Sequence, residues 1–301
     1  MSLVLVRAAA LTPRPYPVTR PDLQFRYSVT SVTLSFTYES QLHRARLHET
    51  RLHQRSDGGT YTVTKTLGLI GSGMIGGAVA RLAVAAGLDV VLSNSRGPET
   101  LADLVAELGD HARAATPEGA AQAGDLVVAT VPLKAHDRLP VAALAGKTVI
   151  DTMNYYPDRD GRLAELDSGE LTSSALVQRH LADSRVVKAF NNIDFRRLAT
   201  SARPSGAPDR GALPIAGDDP GAKDEVVRLL DTLGYDAVDI GTLADSRRSQ
   251  PGTPVYVQPY MAPRPEGLSQ EEAQRWFFET PGVPVSADRV RELVDATTSE
   301  N

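Results

Sequence analysis

Residues 65–95 read KTLGLIGSGMIGGAVARLAVAAGLDVVLSNS, and this stretch constrains the fold more tightly than any other in the chain. Leu67 to Ile70 is an apolar run of buried-strand length. Gly71-Ser72-Gly73-Met74-Ile75-Gly76 follows as G-x-G-x-x-G, then an Ala- and Val-rich helical stretch ending at Gly87, then a second apolar run. Gly71 permits a tight turn out of the strand. Gly73 lacks a β-carbon, so a pyrophosphate can approach the backbone at the helix N-terminus. Gly76 lets the helix pack close to the strand. Glycine-rich turns are common by themselves, but strand, turn, helix and second strand on this spacing predict a dinucleotide site.

The end of the second strand then selects between nucleotides. A dinucleotide fold that takes NAD places an acid there for the ribose hydroxyls, and a 2′-phosphate would be repelled by it. This chain has Ser93, Asn94, Ser95 and Arg96, with no acid before Glu99. Hydroxyls, an amide and a guanidinium are donors that suit phosphate oxygens, so the expected cofactor is NADP(H). An exposed loop arginine with no ligand is the competing explanation.

The βα rhythm continues. Apolar runs at 124–132, 147–152 and 184–190 predict further strands, and a βαβ unit covers ALPIAGDDPGAKDEVVRLLDTLGYDAVDIG. Its helix, about Pro220 to Leu233, carries Ala222, Val226, Leu229, Leu230 and Leu233 at helical spacing, and Gly234 ends it. The fold class expected is α/β, a Rossmann-type doubly wound parallel sheet over 63–241, with a small C-terminal region at 242–301. That region opens proline-rich and holds two short helices, one with a capping-box pattern at Ser269 and Glu272. Ligands of such sheets bind outside the carboxyl ends of the strands. The pocket is therefore expected between Thr130–Leu133, Met153–Tyr156 and Lys188–Ile193.

Residues 1–62 read differently. Eight arginines face only Asp22, Glu39, Glu49 and Asp57, although the whole chain carries −5. With little apolar surface to offset ordering entropy, they are expected to be a disordered extension or translation from a start placed too early. The absence of cysteine excludes disulfides, zinc–cysteine sites and thiol nucleophiles. No residue set has metal-ligand spacing. No apolar run reaches the roughly 18–20 residues that cross a bilayer, and the mild negative charge argues against a nucleic-acid binder. A cytoplasmic protein, a small-molecule partner and a homodimer are the expectations.

GLIGSGMIGGAVA, SNSRGP, VATVP, VVKAFNNI and AGDD followed by a helix and LGYDAVDIG together resemble the NADP oxidoreductase, coenzyme F420-dependent family. The resemblance covers about Thr64 to Gly252. It implies a hydride moved between C4 of the nicotinamide and C5 of a deazaflavin, with the protein orienting the two and excluding water. Carried over by position, Gly71 to Ile75 form the pyrophosphate loop, and Ser95 and Arg96 hold the 2′-phosphate. Val131, Pro132, Ala189 and Asn191 lie near the nicotinamide, beside Thr130. The segment QPYMAPRPEGLSQEEAQRWFFETPGVP matches no deazaflavin-pocket pattern.

Two other readings stay open. A reductase of small carbonyls or imines, similar to hydroxyacid dehydrogenases, would lean on Lys188 or on His136 as proton donor. A protein that senses NADP(H) redox state would bind without turnover. Tyr155-Tyr156 could stack on a flat ring or merely pack a loop. Trp276-Phe277-Phe278 reads as a core or subunit-contact face. The acids of YYPDRDG read as a solvated turn, since their spacing matches no calcium loop.

Overall fold

The computed structural model describes residues 66–297. Chain contacts divide the protein into units 1–60 and 61–301, and every described residue belongs to the second. The expectation for residues 1–62 thus lies outside the described residues.

The chain runs β1 (Thr66–Ile70), α1 (Met74–Ala85), β2 (Asp89–Ser93), α2 (Ala102–Leu108), β3 (Ala112–Ala114), α3 (Pro117–Ala123) and β4 (Leu126–Ala129). Next come α4 (Val141–Leu144), β5 (Thr148–Asp151), α5 (Pro157–Asp160), α6 (Ala164–Asp167), α7 (Ser173–His180) and β6 (Arg185–Lys188). The remainder is α8 (Phe195–Thr200), β7 (Ala212–Gly217), α9 (Pro220–Leu233), β8 (Asp236–Asp239), α10 (Gln270–Glu279) and α11 (Ala287–Ala296). All eight strands join one sheet in the order β3-β2-β1-β4-β5-β6-β7-β8. Among the described residues no helix is long and apolar enough to cross a membrane.

β4 and β5 are buried along their whole length, as strands covered on both faces must be. Alternation along the strands feeds two clusters. Leu67, Leu69, Val128 and Ile150 belong to one, while Ile70, Val127, Ala129 and Val149 belong to the other. The strand order reverses where β1 lies between β2 and β4, the switch point at which open α/β sheets leave a crevice.

One departure from a wholly parallel sheet has consequences. β7 pairs antiparallel with β6 through Val187↔Gly217 and Lys188↔Ala216, while β7 and β8 are parallel to each other. The connection from β6 makes only the six-residue α8 and no crossover to the far edge. The chain therefore re-enters the sheet from the edge it left and runs back. The β7–α9–β8 unit otherwise matches its sequence pattern. Asp219 caps α9 by accepting from Ala222 N at 2.7 Å, and Gly234 closes it in the left-handed region at φ 96°. The five apolar residues that the helical spacing selects are all buried, each large one contributing about 1.5–3 kcal/mol.

The C-terminal region is attached unevenly. α11 buries Val290, Leu293 and Val294 against β7 and β8. α10 has the full capping box at Ser269 and Glu272 but no buried residue. Trp276 and Phe277 lie half-buried against the Arg197 guanidinium, at 5.8 and 4.7 Å, and Phe278 is exposed. The aromatic triplet is therefore not a core face.

Candidate functional site

Gly71 has φ +103°, and a β-carbon there would stand 2.5 Å from the Thr130 carbonyl oxygen. At Gly76 it would stand 2.0 Å from the Gly71 carbonyl oxygen, so neither position admits a side chain without moving backbone. Gly73 is the opposite case: a β-carbon would meet nothing within 4 Å. Space in front of Gly73, at the start of the twelve-residue α1, is the cradle that the motif predicts for a pyrophosphate. No side chain caps α1 and its first turn has no acid, so its leading N–H groups keep their donor capacity for an anion. Thr130 Oγ1 donates to the Gly71 carbonyl at 3.0 Å and ties the turn to the end of β4.

At the end of β2 the four polar residues divide their work. Ser93 is buried and donates to the Leu69 carbonyl at 2.7 Å, so it does not face a ligand. Asn94 builds the loop. Its Oδ1 accepts from the backbone N–H of Arg96 at 2.8 Å and of Gly97 at 3.0 Å, and its Nδ2 donates to Thr100 at 2.8 Å. Such local amide turns are a usual role of Asn, and this one commits the side chain expected to meet phosphate. Ser95 and Arg96 are left exposed. Arg96 makes no side-chain hydrogen bond or ion pair with another described residue.

The glycine turn opens into a cleft of about 370 Å³. Its walls are Gly73–Ile75 from the turn, Thr130–Pro132 after β4, Thr152–Asn154 with Tyr156 and Arg159 after β5, and Phe190, Asn191 and Ile193–Phe195 after β6. The three expected loop segments thus meet at one place. Tyr256 and Val257 from the C-terminal region close the cleft, and sequence reasoning missed them. Arg159, Asp194 and Phe195 were missed as well. Their neighbours on the same loops had been singled out, and adjacency to those loops was the only available signal.

Several expected residues stand elsewhere. Ala189 is fully buried in the core and does not line the cleft, and Phe190 takes that wall instead. Lys188 is 1% exposed, with Nζ donating to Asp151 Oδ2 at 3.1 Å, to Ser173 Oγ at 3.4 Å and to the Met153 carbonyl. Its register opposite Asp151 makes it half of a buried ion pair rather than a cleft residue. His136 Nδ1 pairs with the Leu133 carbonyl at 3.0 Å, and its ring lies edge-on to His180 at 5.9 Å, away from the cleft lining. Tyr155 points out to Asp167, with its hydroxyl donating at 2.9 Å, while Tyr156 faces the cleft. In YYPDRDG, Asp160 accepts from Arg159, from Tyr156 N at 3.0 Å and from Lys134 N at 3.4 Å.

Asn191 and Asn192 hold the cleft together. Asn191 Nδ2 donates to Asn154 Oδ1 at 3.1 Å and to the Ser249 carbonyl at 2.8 Å, leaving its buried Oδ1 without a partner among the described residues. Asn192 Nδ2 donates to the Val255 carbonyl at 3.2 Å and to the Tyr260 hydroxyl at 3.0 Å, and its own carbonyl accepts from Val257 N at 2.9 Å. Phe190 at φ 59° and Val257 at φ 54° are the two non-glycine residues with positive φ among the described residues, and both line this cleft. A β-branched residue in that region is a genuine outlier. Each costs on the order of 1–3 kcal/mol and persists only where the surroundings over-determine it, which is common at functional sites.

The hydroxyls of Tyr156 and Tyr256 hydrogen-bond to each other at the cleft wall. The Arg159 guanidinium lies 4.8 Å over the Tyr156 ring and donates to the Asn154 carbonyl at 2.8 Å. Burial, with the Tyr156 hydroxyl second, pushes the Tyr256 phenol well above the ordinary tyrosine range. It stays protonated at any physiological pH.

Comparison with known proteins agrees with this geometry. Residues 66–155 match the family described as NADP oxidoreductase, coenzyme F420-dependent. A hypothetical protein of Sinorhizobium meliloti, SMa0349, is 30% identical with a TM-score of 0.57, the match covering 64% of this chain and 93% of that one. An Arthrobacter sp. FB24 protein, described provisionally as an F420-dependent NADP-reductase, shares the fold at 23% identity and a TM-score of 0.52, over 62% of this chain and 88% of that one. Rat metalloreductase STEAP3 is 30% identical over 197 residues, which is 64% of this chain and 38% of the relative. The Escherichia coli (strain K12) protein YjhV is 39% identical over 64 residues, 21% of this chain. The chain spans less than half the length of these two curated relatives, 38% and 43%.

Proposed function

The chain belongs to the NADP oxidoreductase, coenzyme F420-dependent family, and from that premise we propose that it moves a hydride between NADP(H) and a deazaflavin, coenzyme F420, or a flavin-like acceptor. One observation carries the reading: Gly73, Met74 and Ile75 belong both to the dinucleotide turn and to the wall of the cleft, so the two form one continuous space. When bound, the nicotinamide would supply or accept the hydride at C4, and the acceptor would exchange it at C5 if a deazaflavin or at N5 if a flavin.

The chain's own residues fit that chemistry. The open face of Gly73 and the uncapped start of α1 suit a pyrophosphate. Ser95 and Arg96, presented by the Asn94 turn, suit a 2′-phosphate. Met153, Phe190, Phe195 and Val257 give the cleft apolar surface for stacked flat rings, and Asn154 and Asn191 give it amides that fix orientation. A carbonyl or imine reductase dependent on Lys188 or His136 fits less well, because both side chains are committed away from the cleft.

The test is NADPH oxidation with coenzyme F420, with FMN and FAD alongside. Loss of the deazaflavin absorbance far above background is the expected result. NADPH binding without turnover of any of the three would overturn the proposal and favour the sensing reading.

A further inference from the structure

Hydride transfer from NADPH to an unsaturated acceptor also consumes a proton. The C–H bond at nicotinamide C4 breaks and a C–H bond forms on a deazaflavin, or an N–H bond on a flavin, so NADPH is oxidised and the acceptor reduced. The charge left on the acceptor's nitrogen or oxygen must then be neutralised. Four titratable side chains line the cleft: Tyr156, Arg159, Asp194 and Tyr256. Arg159 is engaged over the Tyr156 ring, with the Asn154 carbonyl and with Asp160. Asp194 caps α8 through Oδ1, which accepts from the backbone N–H of Arg196 at 3.0 Å and of Arg197 at 3.2 Å and faces the Arg197 guanidinium at 3.5 Å, while its Oδ2 is buried without a hydrogen-bond partner among the described residues. The two tyrosines differ in that their hydroxyls meet each other in the cleft.

The structure also invests in placing that pair. Tyr256 lies between Val255, whose carbonyl is held by Asn192, and Val257, which is strained and bonded to the Asn192 carbonyl. Val255 is itself fully buried, so the segment is anchored on both sides of the tyrosine. The partner hydroxyl of Tyr156 comes from the opposite wall, under the Arg159 guanidinium. Packing alone needs no hydroxyl on either ring. Two phenols meeting inside a cleft instead form a short chain along which a proton can move.

We propose that the Tyr256 hydroxyl gives the proton that accompanies hydride transfer, and that Tyr156 restores it from solvent. The proposal rests on the reading of the cleft as the site of hydride exchange. Tyr256 Oη gives its proton to the acceptor's nitrogen or oxygen and takes one from Tyr156 Oη, which takes one from water. In the reverse direction the same chain carries the proton out.

The experiment compares wild type, Tyr256→Phe and Tyr156→Phe. The measurements are NADPH affinity by nucleotide fluorescence, thermal melting, steady-state acceptor reduction, and proton uptake by an indicator dye in a single turnover. Tyr256→Phe is expected to keep NADPH affinity within about twofold while lowering kcat by on the order of 10²-fold, the usual contribution of a positioned acid. Proton uptake should then lag behind NADPH oxidation, whereas in wild type the two coincide. Tyr156→Phe should cost roughly tenfold, because Tyr256 can still donate but is recharged slowly. Wild-type kcat with coincident proton uptake in Tyr256→Phe would overturn the proposal and leave the hydride reading intact. A wild-type protein that binds NADPH but reduces no acceptor would overturn both. If Tyr256→Phe melts early, Tyr156→Phe decides: proton uptake that still coincides with NADPH oxidation at full rate refutes the relay.

Discussion

Replacing Arg96 tests the cofactor assignment directly. The Asn94 side chain folds the loop by accepting the N–H groups of Arg96 and Gly97, at 2.8 and 3.0 Å. It thereby presents an exposed guanidinium that no other described residue occupies. Each hydrogen bond from a charged donor contributes about 1.5–3 kcal/mol. Taking one such bond to a 2′-phosphate, Arg96→Ala should cost about 2 kcal/mol for NADPH, roughly 30-fold in Kd at 1.4 kcal/mol per decade. NADH lacks that phosphate and should lose less than about twofold. Arg96→Asp should cost more, because the carboxylate adds repulsion. Asn94→Ala leaves the guanidinium but frees the loop, so about half the energetic loss is expected, roughly fivefold in Kd at ~1 kcal/mol for a local cap. Fluorescence titration of both nucleotides against all three variants reads this out, with thermal melting to confirm folding. Equal weakening of NADPH and NADH by Arg96→Ala would refute the phosphate-reading role. Indifference to Asn94→Ala would refute the claim that the turn aims it.

Three further outcomes follow from the same geometry. Lys188→Met leaves Asp151 buried without its cation, and about 3–5 kcal/mol of stability should be lost in denaturant titration; a fall in kcat at unchanged stability would instead restore a catalytic lysine. Asn192→Ala strips the Val255 carbonyl and the Tyr260 hydroxyl of a donor. About 2 kcal/mol should be lost, which for a domain of this size lowers Tm by roughly 4–8 °C, and acceptor turnover should suffer more than NADPH binding; equal effects on both would argue against a separate acceptor wall. The hydrogen bond from Arg81 holds the Glu107 carboxyl below its ordinary range. A depressed folded pKa stabilises above the unfolded pKa and is lost as pH falls through the folded value. The pair is half-exposed, so Glu107→Gln should cost under about 1 kcal/mol at pH 7, and its effect should vanish in acid; a constant difference at both ends would show that charge is not its source.

How much of this was legible depended on how local the determinants were. The glycine turn, α1 and β2 lie within thirty residues and obey rules that need no partner, so the motif located the turn and its open glycine correctly. α9 was equally readable, because spacing and cap were both local. The antiparallel entry of β7 could not be read, since β6 and β7 pair through only two residues and nothing in ALPIAG encodes a direction. β3, at three residues, gave no periodicity to detect. Lys188 and Ala189 were misplaced for a related reason. In a strand that ends at the pocket rim, one residue separates the buried side from the open one, and the positive φ of Phe190 changes the alternation there. The buried status of Lys188 is fixed by Asp151, which stands 37 positions earlier in the chain.

The distribution of the walls also bears on what decides the acceptor. Residues 66–155, which match the family, contain the dinucleotide turn, the Asn94 loop, and the cleft segments after β4 and β5 up to Asn154. Phe190 to Phe195, Tyr256 and Val257 lie beyond that span. They are brought to the cleft by long-range bonds through Asn191 and Asn192, not by local motif. The residues expected to hold the nucleotide phosphates thus fall within one contiguous unit, whereas other parts of the cleft lining come from the segment after β6 and from a return of the chain after β8. A change in 253–261 can reshape that part of the cleft lining without disturbing Gly71, Gly73 or Gly76, since among the described residues the two share no hydrogen bond. If acceptor selection resides in that returning segment, substitutions at Tyr256 and Val257 will alter which ring is reduced while leaving NADPH affinity in place. Substitutions at Arg96 will do the reverse.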